Sequence, residues 1–256
     1  MSNGIIEAFK REVFNQNSDL IDCIEETMKK LDPTSDGNYA GFMDTLRKMK
    51  SNRSLYEIRA TLRALSRIIK PKTYLEIGTR RGWSLAQVLA ETPSVKVLSL
   101  DLWVENYASA ENPGPSFVKN ELKKITGRLD LDIEFISGNS HDTIPEYFEK
   151  EKNMDIKFDL ITVDGDHTLL GAWWDLLDVI DRVSVGGAIV FDDLEYTGDE
   201  KIFGVKAQSK HARESMPLHI KTLTDVWNEI KKRNQNFIFI DNMEGKPPVA
   251  FGLRIS

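Results

Sequence analysis

Residues 74–84 read YLEIGTRRGWS, and the interpretation of the whole chain starts from this stretch. An apolar strand runs into a loop that carries Gly78 and Gly82, and a helical segment follows. Glycine lets a backbone turn tightly and approach a ligand closely, and the free N–H groups at a helix start can receive an anionic group. Two glycines are also typical of a plain strand-to-helix turn, so the loop alone leaves both interpretations open.

Two common nucleotide-binding motifs do not fit this loop. A dinucleotide fingerprint, G-x-G-x-x-G, would need glycines where Arg80 and Trp83 stand. A phosphate-binding P-loop would need a Gly-Lys-Ser/Thr run, which does not follow. An NAD-dependent oxidoreductase is therefore disfavoured.

The chain after Pro71 alternates between short apolar runs and helical segments. This alternation predicts an α/β fold, a doubly wound and mostly parallel sheet with right-handed crossovers and helices on both faces. We expect strands at 73–77, 95–100, 132–136, 158–163 and 188–191, and helices near 84–89, 117–125, 143–148 and 169–183.

The end of the chain follows a different pattern. After a helix near 223–233, two strands at 236–240 and 249–255 are joined by only a short Gly/Pro loop. That loop is too short for a crossover helix, so the two strands should form an antiparallel hairpin. The prediction is a seven-stranded sheet that is completed by this hairpin.

The chain divides into a helical N-terminal extension, residues 1–70, and a Rossmann-like domain, residues 71–256. Within the extension, apolar side chains recur at helical spacing from 54 to 69, and Ser51 or Asn52 could cap that helix. Residues 194–218 lack clear periodicity, which is typical of a lid-like functional loop. Pairing of two copies through the N-terminal helices, giving a homo-oligomer, is a further expectation.

Composition narrows the class of protein. With 256 residues and 41% apolar content the chain suits one soluble domain with an extension. A net charge of −6 argues against nucleic acid as a partner. The single cysteine, Cys23, the absence of a signal-peptide pattern and the lack of ~20 consecutive apolar residues predict a cytoplasmic protein without a membrane span.

Asp101 ends the second predicted strand. A carboxylate at this position can accept both hydroxyls of a ribose. Acidic residues at strand ends are common, but together with the glycine loop Asp101 predicts an adenosine-containing cofactor across the switch point of the sheet.

Further acids end the fourth and fifth strands, in the runs VDGDH (163–167) and FDD (191–193). Because these strand ends meet in one crevice, Asp164, Asp192 and Asp193 could bind a hard cation such as Mg²⁺. His167, one turn beyond Asp164, could take a proton from a substrate hydroxyl near that cation. Alternatively, the acids cap helices and His167 is an ordinary polar loop residue.

Taken together, E-I-G-T-x-x-G-x-S, the acidic strand end, V-D-G-D-H and F-D-D resemble class I S-adenosylmethionine-dependent methyltransferases. The chain is most similar to metal-dependent O-methyltransferases related to macrocin-type sugar methyltransferases and the cephalosporin hydroxylase-like group. The resemblance runs from about residue 53 to the C-terminus and includes the terminal hairpin.

The resemblance implies roles for individual residues. The glycine loop would hold the methionine part of the cofactor, Asp101 its ribose, and the segment after the third strand its adenine. Asn139 stands where the family often has Asp, and Asp192 where it often has Glu. The implied cofactor-binding residues are Glu76, Gly78, Thr79, Gly82, Ser84, Asp101, Asn139, Ser140 and Asp164; the implied metal ligands are Asp164, Asp192 and Asp193; the implied catalytic residues are His167 and Asp164.

The function that follows from the resemblance is S-adenosylmethionine-dependent O-methylation of a hydroxyl on a sugar-containing or other small molecule, assisted by Mg²⁺ or another divalent cation. Three alternatives stay open at this point: a metal-independent methyltransferase, a cephalosporin hydroxylase-like enzyme, and a non-catalytic cofactor-binding protein.

Overall fold

A computed structural model describes residues 2–15, 19–32, 38–52, 56–105, 111–195, 215–243 and 248–256. Within these ranges a seven-stranded sheet is covered on both faces by helices. None of the helices in this described part combines the length and the hydropathy that a membrane crossing requires.

The sheet has the order β3-β2-β1-β4-β5-β7-β6. Its strands are β1 (Thr73–Ile77), β2 (Lys96–Asp101), β3 (Ile133–Ser137), β4 (Phe158–Val163), β5 (Val183–Phe191), β6 (Phe237–Asn242) and β7 (Val249–Arg254). The first five strands pair in parallel, and β7 lies antiparallel between β5 and β6. The predicted fold class, including the antiparallel C-terminal strands, is confirmed.

The helices of the described residues are α1 (Ser2–Phe14), α2 (Leu20–Lys30), α3 (Tyr39–Ser51), α4 (Ile58–Ile69), α5 (Trp83–Glu91), α6 (Pro115–Thr126), α7 (Ser140–Glu149), α8 (Leu169–Val179) and α9 (Leu223–Arg233). Apolar residues of α1 to α6 pack on one face of the sheet. Those of α7 to α9 pack on the other face. Alternate side chains of each central strand contribute to the two cores, which explains why these strands are apolar at successive positions.

Helix α4 begins later than the sequence pattern predicts, and its cap is different. The carboxylate of Glu57 accepts the backbone N–H of Ala60 at 3.2 Å, which satisfies one free donor of the first turn. Ser51 is instead the last residue of α3, and Asn52 follows as its C-cap. The expectation that Ser51 or Asn52 caps this helix is therefore wrong. Residues 53–55 lie outside the described part of the chain.

Two other boundaries also differ from the prediction. The helix expected at 169–183 ends at Val179, and a short 3₁₀ turn, Ile180–Arg182, leads into β5. Strand β5 consequently starts at Val183, which pairs with Phe158 of β4. Most of the predicted lid-like loop, at 196–214, falls on residues that the structure does not describe.

Arg63 connects the N-terminal helices to the sheet domain from inside the protein. Its guanidinium donates to Glu91 of α5 at 2.6 Å and to the Thr27 hydroxyl of α2 at 2.7 Å. It also reaches the Cys23 carbonyl at 2.8 Å and the Gln87 amide oxygen at 3.0 Å. Since Arg63 is only 7% exposed, removing it leaves several buried acceptors without their donor.

Arg63→Met should therefore lower the free energy of unfolding by about 3 kcal/mol, because breaking a buried charged network leaves uncompensated polar groups. Urea unfolding measures the effect. The matched control is Arg128→Met, since Arg128 pairs with Asp130 on the surface and its loss should change stability little. Equal effects of the two substitutions would contradict a stabilising role for the Arg63 network.

Candidate active site

Gly78 lies where the loop after β1 touches the loop after β4. Its N–H donates to the Leu100 carbonyl at 2.9 Å, and the Asp164 N–H donates to the Ile77 carbonyl at 2.9 Å. Gly78 has a φ of 91°, and a Cβ there would lie 1.8 Å from the carbonyl oxygen of Asp164. Only glycine fits this position, because both the backbone conformation and the close approach exclude a side chain.

Gly82 meets a different requirement. It is the N-cap of α5 with a φ of 73°, and a Cβ would lie 2.6 Å from Cγ1 of Val118 in α6. Thr79, between the two glycines, is buried, and its hydroxyl hydrogen-bonds that of Ser99 on β2. The loop is therefore fixed by packing against its neighbours.

Glu76 is fully buried beneath this loop. Its Oε1 accepts the hydroxyl of Tyr74 at 3.0 Å and that of Ser84 at 2.6 Å. Its Oε2 has no hydrogen-bond partner among the described residues. Burial raises the pKa of Glu76 to about 8, and the hydrogen bonds from Ser84 and Tyr74 offset this only in part.

Asp101 ends β2 and is held by backbone groups. Its Oδ2 accepts the N–H of Arg80 at 2.6 Å, and its Oδ1 accepts the N–H of Trp103 at 2.6 Å and the Asn112 amide at 3.3 Å. Arg80 and Trp103 have φ values of 47° and 54°. Such left-handed backbone is uncommon in non-glycine residues and tends to mark functional sites.

Asn139 and Ser140 lie where β3 gives way to α7. The Asn139 amide oxygen accepts the N–H of His141 at 3.1 Å, which makes Asn139 the N-cap of α7. The side-chain oxygen of Asn139 is therefore already part of a helix cap.

Asp164, His167 and Asp193 come together at the ends of β4 and β5. Nε2 of His167 lies 3.3 Å from Oδ1 of Asp164 and 3.1 Å from Oδ2 of Asp193. One ligand atom from each residue lies within 4.8 Å of the other two. Asp193 has a φ of 60°. This group contains two of the predicted metal ligands and the predicted base.

Asp192 does not belong to that three-residue group. It is 5% exposed, and its Oδ1 has no hydrogen-bond partner among the described residues. Burial, followed by the charges of Asp193 and Asp164, raises the pKa of Asp192 well above its usual range.

Burial and the charges of neighbouring side chains set the pKa values of His167 and Asp193. Burial lowers the pKa of His167, but the hydrogen bond with Asp164 and the charge of Asp193 outweigh it and raise that pKa to about 9. Burial also raises the pKa of Asp193, against the opposing charge of His167. Two carboxylates and an imidazole at this separation are a donor set that suits a divalent cation.

One cavity of about 900 Å³ unites these residues. It is lined by ten of the predicted site residues, namely Gly78, Thr79, Ser84, Asp101, Asn139, Ser140, Asp164, His167, Asp192 and Asp193. Glu76 and Gly82 do not belong to its lining. Their contacts support the loop from behind.

The N-terminal helices supply cavity residues that the sequence analysis missed. Glu57 and Arg59 line the cavity and form a buried ion pair, with Nη2 of Arg59 2.7 Å from Oε2 of Glu57. The Arg59 guanidinium lies 3.8 Å above the centre of the Phe42 ring, which α3 contributes to the same wall. No motif surrounds these residues, and arginines opposite the apolar stripe of a helix are usually exposed.

Asp166 is a second cavity residue that sequence reasoning left unassigned. Its Oδ2 lies 3.1 Å from Nε2 of His141, and Nδ1 of His141 lies 3.2 Å from Oδ1 of Asp175. Burial lowers the pKa of His141, but the charges and hydrogen bonds of Asp175 and Asp166 outweigh it and raise that pKa to about 10. The three residues come from different elements, so no spacing in the sequence joins them.

A match to a protein-family model identifies the class of protein to which the sheet domain belongs. Residues 75–194 match a family model described as a methyltransferase domain. This chain carries a methyltransferase domain. The class predicted from the sequence, a class I methyltransferase, is thereby confirmed, and the matched residues hold the glycine loop, the strand-end acids and His167.

Solved structures with bound cofactor share the fold of this methyltransferase. The O-methyltransferase TomG from Streptomyces achromogenes, involved in tomaymycin synthesis and solved with SAM, has a TM-score of 0.53 at 14% identity, covering 86% of this chain and 91% of that one. The SAH-bound methyltransferase PaMTH1 from Podospora anserina has a TM-score of 0.51 at 16% identity, covering 99% and 94%. An O-methyltransferase from Bacillus cereus with SAH has a TM-score of 0.50 at 14% identity, covering 97% of both chains. A search among curated proteins finds no match.

Gly78→Ala tests the contact between the two loops. The added Cβ would collide with the Asp164 carbonyl, so we expect a loss of at least about 2 kcal/mol in unfolding free energy and loss of S-adenosylhomocysteine binding. Urea unfolding and calorimetric titration measure the two effects. Gly127→Ala is the control, since Gly127 has a φ of 68° but open space around it. If the two variants behaved alike, the close approach at Gly78 would not matter.

Glu76→Gln tests the buried carboxyl. Because the pKa of Glu76 is about 8 in the folded protein against an ordinary 4.5, ionisation costs more in the folded than in the unfolded state. The stability of the wild type relative to the variant should therefore fall as pH rises from about 4.5 to about 8, at no more than about 1.4 kcal/mol per pH unit. Urea unfolding of both proteins across this range measures the difference, and a constant difference would contradict the raised pKa.

Proposed function

We propose that this methyltransferase transfers the methyl group of S-adenosylmethionine to a hydroxyl of a sugar-containing or other small hydroxylated molecule, assisted by a divalent cation such as Mg²⁺. The observation that carries the proposal is the shared cavity. The loop after β1, the end of β2 and the start of α7 line it together with Asp164, His167 and Asp193. A cofactor and a reacting hydroxyl can therefore lie side by side in one cavity.

The cofactor would lie along the ends of β1, β2 and β3. The Gly78 backbone would border its methionine part, and Asp101, with its carboxylate fixed by backbone N–H groups, would accept the ribose hydroxyls. On the adenine side, the oxygen of Asn139 already caps α7. The carboxylate of Asp166 lines the same cavity, and we propose that it accepts the N–H of the adenine amine.

The acceptor would occupy the part of the cavity that α3 and α4 border. Phe42 offers an aromatic surface, and Thr45, Glu57 and Arg59 offer polar groups. Glu57 lies close enough to Asp192 for its charge to raise the pKa of that acid. Polar groups next to an aromatic ring suit a hydroxylated ring compound. A small-molecule acceptor is also supported by TomG, whose described role is in tomaymycin synthesis.

A divalent cation would be held by Asp164 and Asp193, whose carboxylates would otherwise repel each other across a short distance. Bound there, a cation would supply Lewis acidity that lowers the pKa of the acceptor hydroxyl. Asp192, whose pKa is raised by burial and by the charges of Asp193 and Asp164, would become easier to ionise beside such a cation.

His167 is proposed as the proton acceptor. The sulfonium methyl is already activated, so the protein must mainly hold the acceptor oxygen in line with it and remove one proton. The oxygen–methyl bond forms as the methyl–sulfur bond breaks, and S-adenosylhomocysteine leaves. A cation held by Asp164 and Asp193 would offset the charges that raise the pKa of His167, so that the neutral imidazole can take the hydroxyl proton at Nε2. Pairing of two copies and a cytoplasmic location stay predictions.

Asp193→Asn and His167→Gln separate the two roles. Asp193→Asn should weaken Mn²⁺ binding at least about tenfold, because it removes a charged ligand. His167→Gln should leave Mn²⁺ binding within a few-fold while lowering turnover about 10²–10⁴-fold, as expected for loss of a general base. Titration with Mn²⁺, and methyl transfer from labelled S-adenosylmethionine to screened sugar and phenol acceptors, measure the two quantities.

The outcomes of this pair are distinct. If His167→Gln weakened Mn²⁺ binding as much as Asp193→Asn, His167 would be a ligand and another group would take the proton. If turnover in the presence of a chelator survived both Asp192→Asn and Asp193→Asn, the cation would have no role. Glu229→Gln, far from the cavity on α9, is the control and should change neither quantity.

A further inference from the structure

We infer that His141 is a positioning residue for the cofactor: held by Asp175, it fixes the carboxylate of Asp166 on the adenine side of the cavity and so determines how strictly an adenine amine is recognised. The inference rests on the proposed function, because it needs an adenosine cofactor in this cavity. It concerns two buried residues, His141 and Asp175, that do not line the cavity themselves.

His141 lies between two carboxylates. It belongs to the first turn of α7 and is completely buried. Nε2 lies 3.1 Å from Asp166 and Nδ1 lies 3.2 Å from Asp175. Nε2 hydrogen-bonds the Asp166 carboxylate and Asp175 lies beside Nδ1 as an ion-pair partner, and only one orientation of the ring allows both contacts. The ring of Trp174 packs edge-on against it at 5.4 Å and closes the remaining side.

Asp166 is held on its other side by α8. Its Oδ1 accepts the N–H of Thr168 at 2.9 Å. Gly171 gives it room, because a Cβ at that position would lie 2.1 Å from the Asp166 carboxyl carbon. With Oδ1 directed to α8 and Oδ2 to His141, the carboxylate has one orientation. Its side chain is 14% exposed, at the cavity wall.

The network also joins the two loops that border the adenine side. The backbone N–H of His141 donates to the Asn139 side-chain oxygen, so His141 belongs to the turn that carries Asn139 and Ser140. Its imidazole hydrogen-bonds Asp166 in the loop after β4. Replacing the imidazole would therefore remove this contact between the two walls.

A purely structural role explains the arrangement less well. Asp175 is fully buried, and among the described residues His141 provides its ion-pair partner. Two carboxylates around one imidazolium leave a net negative charge in a low-dielectric region, which is costly for stability alone. A negative charge directed at the cavity is useful where a ligand presents N–H donors.

The experiment compares two ligands by calorimetric titration of the full chain: S-adenosylhomocysteine and S-inosylhomocysteine, in which an oxygen replaces the adenine amine. We expect the wild type to bind the adenosine compound at least about tenfold more tightly, because a carboxylate left without its donor disfavours the oxygen analogue. His141→Gln should reduce this preference to about threefold or less, mainly by weakening the adenosine compound.

Two further variants keep the test decisive. If His141→Gln does not fold, Asp175→Asn takes its place in the test. This variant keeps Asp166 and His141 and should lower the preference for the adenosine compound in the same direction. In an Asp166→Ala background, His141→Gln should cause no additional loss, because a residue that acts through Asp166 has nothing left to position. His219→Gln is the matched control, since His219 is 59% exposed and pairs with Glu229 on the surface.

Each result decides the matter. If His141→Gln lowers the melting temperature but keeps the wild-type preference, or weakens both ligands equally, the role is structural and the inference is overturned. If the wild type binds the adenosine compound and every variant keeps the wild-type preference, the inference fails but the proposed function stands. If the wild type binds neither compound, the proposed function fails and the inference fails with it.

Discussion

The contact between the loops after β1 and β4 is the constraint on which the rest of the site depends. β1 and β4 are the strands between which the order of the sheet reverses, and their ends are linked by the hydrogen bond from Asp164 to Ile77. Gly78 leaves no space for a side chain between the two backbones. Because Asp164 is anchored there by its own backbone, its carboxylate and His167 point into the crevice at the switch point, where open α/β sheets bind ligands. Disrupting that contact would move the glycine loop and the acidic group together.

Three buried carboxyls near the strand ends differ from acids that cap helices. Burial raises the pKa values of Glu76, Asp192 and Asp193, which means that each of these carboxyls is costly to ionise in this structure. Acids that only cap helices would be expected to have lowered pKa values, as Asp225 has in the capping box of α9. Helix capping therefore does not explain the burial of Asp192 and Asp193.

Much of this architecture could be predicted from local sequence. The central strands are continuous apolar runs, the helices between them are amphipathic, and the loop between β6 and β7 is too short for a crossover, so the α/β class and the antiparallel hairpin follow from general rules. The strand-end acids could be predicted for the same reason. The start of α4 could not, because its cap is Glu57, a residue type that rarely caps helices. The contacts of Arg59 and His141 could not be predicted from the sequence either, since their partners come from elements that only the tertiary fold brings together.

The two ends of helix α4 have different contacts: one end borders the cavity and the other holds the helix in place. Its N-terminal end, at Glu57 and Arg59, borders the cavity, whereas Arg63 and Arg67 further along bind acids and carbonyls of α1, α2 and α5. One turn of helix lies between the two sets, so they use the same rigid backbone but not the same partners. Substitutions at the first end would reshape the cavity while the second set keeps the helix in place. Because α4 is fixed by its own buried charges, the cavity wall that it carries can be rigid without a bound ligand, which favours a preorganised site over one that forms on binding.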